Sequence, residues 1–200
     1  MNSYVRLINK DHRLPAAYIP KDLTEALFPF CAPKGNPKKF MRKEAADWAA
    51  LLFAQARWDH IQLYGISAYR PYSRQQQLYE EKKALLNHPQ ENITVAPPGA
   101  SEHQSGLALD VSCARVGYEL TEKFACTPEG KWLAGNAALF GFILRYPPRK
   151  TEITGYAWEP WHIRYVTRSL ALYLTLTGLT LEEFYQMEAC LLYTSPSPRD

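Results

Sequence analysis

The sequence predicts an α+β fold in a single domain, and three observations support this prediction. Segments with the apolar period of helices are mixed along the chain with short alternating or apolar runs typical of strands. A length of 200 residues is enough for one well-buried core and fits one domain. The composition, 46% hydrophobic and 22% charged, is that of an ordinary globular protein.

The first half of the chain is predicted to contain an irregular arm, two helices and a strand. Five prolines between Pro15 and Pro37 break any helix in residues 1–36. The predicted elements that follow are a helix at 37–59, a strand at 61–69, a helix at about 73–86 with Ser73 as its N-cap, and a loop at 87–100.

The second half is predicted to alternate strands and helices. In order, the pattern indicates an apolar strand within 101–112, a side loop or lid at 113–127, a helix at 128–140 ended by Gly141, a strand at 142–146, a turn at 150–155, a strand-like run at 161–166, and helices at 168–176 and 180–189. Thr180 and Glu183 have the spacing of a capping box. The composition changes sharply after residue 189, so we expect the tail at 190–200 to be non-native or disordered and to pack on nothing.

Charge and hydropathy exclude some partners. The net charge of +3 is too small to indicate nucleic acid, and no basic run with interleaved aromatic residues is present. The sequence contains no run of about 18 apolar residues, so no membrane-spanning helix is predicted. The N-terminus lacks a charged segment followed by an apolar block, so no signal peptide is predicted. Either the protein acts in the cytosol or an export segment is missing from the sequence.

The spacing of the cysteines argues against a metal site formed by thiolates. None of the four cysteines forms a Cys-x-x-Cys pair. Cys113 and Cys126 flank one predicted loop and would pair in an oxidising compartment. The alternative is that both are free buried thiols.

Two short segments supply candidate metal ligands and a candidate base. His103 and Asp110 lie seven residues apart, and Glu159 precedes His162 by three. Two imidazoles and one carboxylate leave an open position on a zinc ion, and a second carboxylate nearby suits metal-assisted hydrolysis. Each pair alone is equally compatible with a solvated surface. Asp110, however, follows an apolar run, where a carboxylate is costly to bury unless it is paired or metal-bound.

Longer motifs carry a resemblance to a known family. They are SEHQSGLALD at 101–110, TGYAWEPWHIRYV at 154–166 and YRPYSRQ at 69–75. With softer matches elsewhere, they extend from about residue 5 to about 187. The chain resembles the VanY-type D-alanyl-D-alanine carboxypeptidases and the related LD-carboxypeptidase B group, which are zinc peptidases that trim peptidoglycan stem peptides.

The resemblance implies an architecture. We expect a central, mostly antiparallel sheet flanked by helices, with a zinc cleft at the sheet, as in hedgehog-like D-Ala-D-Ala peptidases. The zinc carboxypeptidase domain would occupy 1–189, with 1–36 as an arm that wraps it. The family usually works in the cell envelope, and we expect a monomer acting on peptidoglycan stem peptides.

The resemblance also implies roles for seven residues. The implied zinc ligands are His103, Asp110 and His162; the general base is Glu159; the oxyanion and substrate are held by Arg70; and further substrate contacts are Gln75 and Ser101. Trp158 and Trp161 bracket Glu159 in the sequence, so we predict that they line the substrate site, where apolar walls would raise the pKa of that carboxyl group and exclude water. The alternatives are a surface arginine in a turn for Arg70 and simple core packing for the tryptophans. Because strand residues alternate faces, Glu102 is predicted to point away from the site.

The sequence leaves open which peptide bond the enzyme would cleave. A D,D-carboxypeptidase cleaves between two D-alanines, and an L,D-carboxypeptidase cleaves before a single D-alanine; the motifs lean slightly towards the second. An endopeptidase and a non-catalytic wall-binding module of the same fold are further alternatives. A metal-dependent signalling protein of this fold would lack the motif of Arg70 and Gln75, which this chain has.

Overall fold

A computed structural model describes residues 3–85 and 95–194 of the chain. The helices and strands, in chain order, are β1 (Leu23–Glu25), β2 (Phe40–Arg42), α1 (Lys43–Trp58), β3 (Tyr64–Ser67), α2 (Tyr72–Ala84), β4 (Ala108–Ser112), α3 (Pro128–Asn136), β5 (Phe142–Leu144), α4 (Thr151–Thr154), β6 (His162–Tyr165), α5 (Arg168–Thr177) and α6 (Leu181–Thr194). Short 3-10 turns connect several of them, including one at Glu102–Ser105.

The centre of the fold is a four-stranded sheet in the order β3-β4-β6-β5. Every neighbouring pair in it is antiparallel. Helix α1 buries one face, including Leu52 and Phe53, in the same core cluster as Leu109 of β4 and Ile163 of β6. The predicted α+β architecture with an antiparallel central sheet is confirmed.

The start of the first predicted helix is wrong. Residues 37–39 form a 3-10 turn, β2 follows, and α1 begins only at Lys43. The carbonyls of Lys38 and Phe40 accept hydrogen bonds from the N–H groups of Ala68 and Tyr69, at 2.7 and 2.9 Å. Because these long-range bonds occupy the carbonyls, the segment is extended although its composition suits a helix.

The strand and helix that flank Arg70 are shorter than predicted. The strand at 61–69 is reduced to β3, and α2 begins at Tyr72 with Pro71 as its N-cap. Ser73 therefore lies inside the helix, and its predicted role as N-cap is wrong. Most of the predicted loop at 87–100 lies outside the described residues.

The second half matches the predicted pattern closely. Helix α3 and the 3-10 turn after it end at Gly141, which has a φ of 83° that favours glycine. The N–H of Thr180 donates to Glu183 Oε2 at 2.8 Å, and the N–H of Glu183 donates to Thr180 Oγ1 at 3.2 Å, so the capping box is confirmed. The predicted turn at 150–155 contains the single-turn helix α4. Helix α6 continues to Thr194, beyond the predicted end at 189.

The N-terminal arm is hydrogen-bonded to the loop before β4 and to α6. Ile8 and Leu14 are buried, and the N–H of Leu14 donates to the carbonyl of Gly99 at 2.8 Å. Asn9 Nδ2 donates to Glu182 Oε1 of α6 at 3.2 Å. Strand β1, which the sequence pattern does not reveal, forms the small second sheet with β2.

The two cysteines beside the predicted side loop are separate thiols. Cys113 is buried and Cys126 is exposed. The interpretation as free thiols agrees with the structure, but only one of them is buried. Among the described residues, no helix combines the length and apolar character needed to cross a membrane.

Candidate metal centre

Three potential ligands converge because of strand register. Asp110 on β4 lies directly opposite His162 on β6. His103 reaches the same point from the 3-10 turn that precedes β4. One donor atom from each of the three residues lies within 4.8 Å of the others, and all three side chains are buried.

Hydrogen bonds orient the two imidazoles so that they offer different nitrogens. His103 Nδ1 lies 2.6 Å from the carbonyl oxygen of Ala68, which leaves Nε2 facing Asp110 Oδ2 at 3.2 Å. His162 uses the opposite nitrogen, since its Nδ1 lies 3.0 Å from Asp110 Oδ1. Outer hydrogen bonds of this kind are typical of histidines that ligate metals.

The electrostatics of Asp110 and His103 fit a divalent cation. Burial alone would raise the pKa of Asp110, but His103 and His162 hold it well below its usual range. Burial lowers the pKa of His103, which favours the neutral form that binds metal. A buried carboxylate between two imidazoles is a nitrogen and oxygen donor set of the kind zinc takes.

Glu159 lies beside these ligands and faces the same space. Its Oε2 is 3.8 Å from His162 Nδ1, and its side chain remains 28% exposed. Burial, followed by the negative charge of Asp110, raises the pKa of Glu159 to about 7, against the opposing effects of His162 and Arg70. A carboxyl group with this pKa can both accept and return a proton near neutral pH.

Arg70 is held in place by its own backbone and by Gln75. The N–H of Arg70 donates to the carbonyl of His103 at 3.1 Å, and Nη1 donates to Gln75 Oε1 at 2.9 Å. Gln75 Nε2 donates in turn to the carbonyl of Ala96 at 2.7 Å. Both polar ends of Gln75 are thus occupied within the protein, so in this arrangement it orients Arg70.

All nine residues predicted for the site line one cavity of about 410 Å³. Trp158 and Trp161 are both partly exposed there, and Trp161 also contacts the main core. We call this cavity the cleft. It therefore brings the predicted metal ligands, base, arginine and substrate contacts to one place.

The prediction that Glu102 points away from the site is wrong. Residues 102–105 form a 3-10 turn, so the alternation of a strand does not apply to them. The Glu102 side chain is buried and its Oε2 lies 3.4 Å from His162 Nε2. Burial alone would raise the pKa of Glu102, but Arg164 and Arg145 lower it well below its usual range.

Sequence analysis also did not identify two tyrosines as residues of the site. Tyr146 and Tyr156 line the cleft, with ring centroids 4.8 Å apart, and Tyr146 lies 5.0 Å from the His162 ring. The buried hydroxyl of Tyr156 has no hydrogen-bond partner among the described residues. In the sequence, Tyr156 is marked by its place in the 154–166 motif, three residues before Glu159.

Comparison with known proteins places these features in a family. The family model described as VanY, D-alanyl-D-alanine carboxypeptidase, matches residues 38–168. YodJ of Bacillus subtilis is 41% identical over 180 residues, which is 90% of this chain and 66% of YodJ. The chain thus spans just under two thirds of that relative's length.

Solved structures agree in fold. The LdcB LD-carboxypeptidase, whose structure is described as explaining peptidoglycan recognition, superposes with a TM-score of 0.86 at 41% identity, covering 90% of this chain and 84% of LdcB. A variant of the vancomycin-resistance D,D-pentapeptidase VanY, solved in complex with Zn(II), gives a TM-score of 0.73 at 32% identity, covering 92% and 99% of the two chains.

Proposed function

This chain belongs to the VanY family of D-alanyl-D-alanine carboxypeptidases, and from that premise we propose that it is a zinc carboxypeptidase. Its substrate would be a peptidoglycan stem peptide, from which it removes the C-terminal D-alanine. The observation that carries the proposal is the meeting of His103, Asp110 and His162 beside Glu159 in one cleft. The Zn(II) complex of the VanY relative supports the choice of metal.

The proposed zinc ligands are His103, Asp110 and His162. A zinc ion there would supply a Lewis acid that polarises the scissile carbonyl and makes a water molecule more acidic. The protein contributes the orientation of the ligands, because each imidazole has its far nitrogen next to a buried oxygen acceptor.

Glu159 is the proposed general base and acid. Its carboxylate takes a proton from the attacking water and then returns that proton to the leaving amine of D-alanine. The pKa of about 7 supports both halves of this role, since the gain and loss of the proton are then nearly balanced. The 3.8 Å approach of Glu159 Oε2 to His162 Nδ1 supports this role, because it puts the carboxyl group next to a proposed zinc ligand.

Arg70 is the proposed anchor for negative charge. Burial lowers its pKa from a high ordinary value, but a guanidinium stays charged near neutral pH. Its fork of donors suits a carboxylate or a developing oxyanion. Gln75 fixes one side of that fork, and Ser101, Trp158 and Trp161 line the space left for the terminal residue.

The size of the cleft fits the end of a peptide. A volume of about 410 Å³ lies within the roughly 300–1,000 Å³ typical of small-ligand sites. Of the two solved structures compared above, the LD-carboxypeptidase LdcB is more similar to this chain than the D,D-pentapeptidase VanY, which supports cleavage of the tetrapeptide stem, before a single D-alanine.

The test is release of D-alanine from defined stems. Zinc-loaded protein is incubated separately with a muramyl tetrapeptide and a muramyl pentapeptide, and free D-alanine is read by mass spectrometry, with Glu159→Ala as the inactive control. Release from the tetrapeptide supports the L,D-carboxypeptidase, and release from the pentapeptide alone makes the enzyme D,D-specific. Release from neither, with zinc bound, would contradict the proposal and favour an endopeptidase or a wall-binding module.

A further inference from the structure

A buried cluster of charged side chains adjoins the metal centre through the contact between Glu102 and His162. It comprises Glu102, Arg145, Arg164 and Glu182, and we call it the charge cluster. The Glu102 and arginine side chains are fully buried, and that of Glu182 is 7% exposed. Two carboxylates and two guanidiniums balance in formal charge.

The contacts within the charge cluster hold Glu102 from one side. Arg145 Nε and Arg164 Nη1 each donate to Glu102 Oε1 at 2.7 Å. Both bonds fall on the same oxygen, and the other oxygen, Oε2, lies 3.4 Å from His162 Nε2. Glu102 is therefore orientated by two arginines and directed at a ligand.

The arginines are themselves fixed. Arg145 makes a two-point contact with Glu182 of α6, at 2.8 Å through Nη1 and 2.5 Å through Nη2. Arg164 lies two residues after His162 on β6, so the two side chains are on the same face of the strand. Its Nη2 donates to the carbonyl of Arg6 at 2.8 Å.

Stability alone is a weak explanation for such a cluster. Moving charged groups out of water costs free energy, and the attraction between them often does not offset that cost. Replacement of buried ion pairs by apolar residues of similar volume is often neutral or stabilising in proteins. A carboxylate on the outer nitrogen of a metal-binding imidazole, in contrast, fixes its tautomer and ring orientation and makes it a better ligand.

We propose that Glu102 is a positioning residue that holds His162 with Nε2–H directed at its own carboxylate and Nδ1 free for the metal. Arg145 and Arg164 keep that carboxylate in place through their short bonds to Oε1. This inference rests on the proposed zinc site. The other imidazole obtains the same orientation from a backbone carbonyl, that of Ala68, so only His162 depends on a side chain.

The test compares two conservative changes in the same cluster. Glu102→Asp keeps the charge but shortens the side chain. We expect the shorter carboxylate to stay bonded to the two arginines and to lose its longer contact with His162. Glu182→Asp makes the same change on the other carboxylate, which also pairs with Arg145 but does not contact His162. It is therefore the matched control.

Zinc affinity is measured by competition with a chromophoric chelator, and the visible spectrum of the Co²⁺-substituted protein reports ligand geometry. We expect Glu102→Asp to weaken zinc binding roughly 10- to 100-fold and to change the Co²⁺ spectrum. Glu182→Asp should lower the thermal midpoint of the metal-free protein yet leave zinc affinity and the spectrum close to wild type.

Two results would overturn the inference: wild-type zinc affinity and spectrum in Glu102→Asp, or equal losses in both variants, which would mean a purely structural cluster. Should Glu102→Asp fail to fold, Glu102→Gln is compared with Glu182→Gln by the same readouts and the same criteria. Failure of the wild-type protein to bind zinc at all would instead contradict the proposed function, so the two failures are distinguishable.

Discussion

Asp110 and His162 lie directly opposite each other on adjacent antiparallel strands, and Asp110 Oδ1 approaches His162 Nδ1 to 3.0 Å. The pairing puts a carboxylate and an imidazole on the same face of the sheet, where His103 joins them from the preceding turn. The metal centre is therefore a product of sheet register, and a slip of one residue would move one ligand to the opposite face.

Asp110→Asn should remove zinc binding while preserving the fold. The amide is nearly the same size as the carboxylate but lacks its charge, and it leaves two imidazoles as the only strong ligands. We expect a loss of affinity larger than the roughly 10- to 100-fold that an outer-contact change costs. Metal content after dialysis measures the effect, and an unchanged circular dichroism spectrum is the control. Stoichiometric zinc in this variant would mean that Asp110 is not a ligand.

Glu159→Gln should retain zinc but lose turnover. The amide cannot accept a proton from water, and general acid–base catalysis is worth roughly 10²- to 10⁴-fold in rate. The kcat of D-alanine release is compared at equal zinc content. Near-normal kcat in the variant would show that another group is the base.

Activity should fall as the pH drops below neutrality. Burial raises the pKa of Glu159 to about 7, so its carboxylate form, which the base requires, is lost as the pH falls through that value. A bound zinc ion favours the carboxylate and so moves the midpoint to lower pH. A profile of kcat/KM against pH at saturating zinc should decline about tenfold per unit on its acid side. A flat profile between pH 5 and 8 would count against Glu159.

Zinc binding should release a proton from His162. Although burial alone lowers it, hydrogen bonds to Asp110 and Glu102 raise the pKa of metal-free His162 to about 9. At pH 7 this imidazole is protonated and must lose its proton to ligate, so zinc affinity should rise with pH until about 9. Calorimetry in two buffers of different ionisation enthalpy gives the number of protons released, about one per zinc. Zero release at pH 7 would contradict this protonation state.

Gln75→Ala should weaken substrate binding through Arg70. The change removes the acceptor that holds Nη1 and opens a gap next to the carbonyl of Ala96. A misplaced positioning group costs up to about 100-fold, so we expect kcat/KM to fall roughly 10- to 100-fold with unchanged zinc affinity. Gln76→Ala on the exposed face of α2 is the matched control and should behave as wild type. Equal kinetics for the two variants would leave Gln75 without a role.

The predicted ligands and base were identified from local sequence patterns that the folded structure keeps. Asp110 follows an apolar run that becomes a fully buried strand, and His162 opens the strand next to it. The wrong predictions fall where contacts distant in sequence decide the local backbone. Glu102 lies in a 3-10 turn, which has no period to read, and its arginine partners come 43 and 62 residues later. Strand β2 arises from hydrogen bonds to β1 and to residues 68 and 69, which no local pattern announces.

The most direct test of the zinc carboxypeptidase is one preparation assayed three times for D-alanine release from the stem peptides. It is assayed as purified with its zinc content measured, again after exhaustive chelation, and finally after one equivalent of zinc is restored. The account predicts about one zinc per chain, loss of D-alanine release on chelation, and recovery on restoration. Full activity in the zinc-free protein would contradict it.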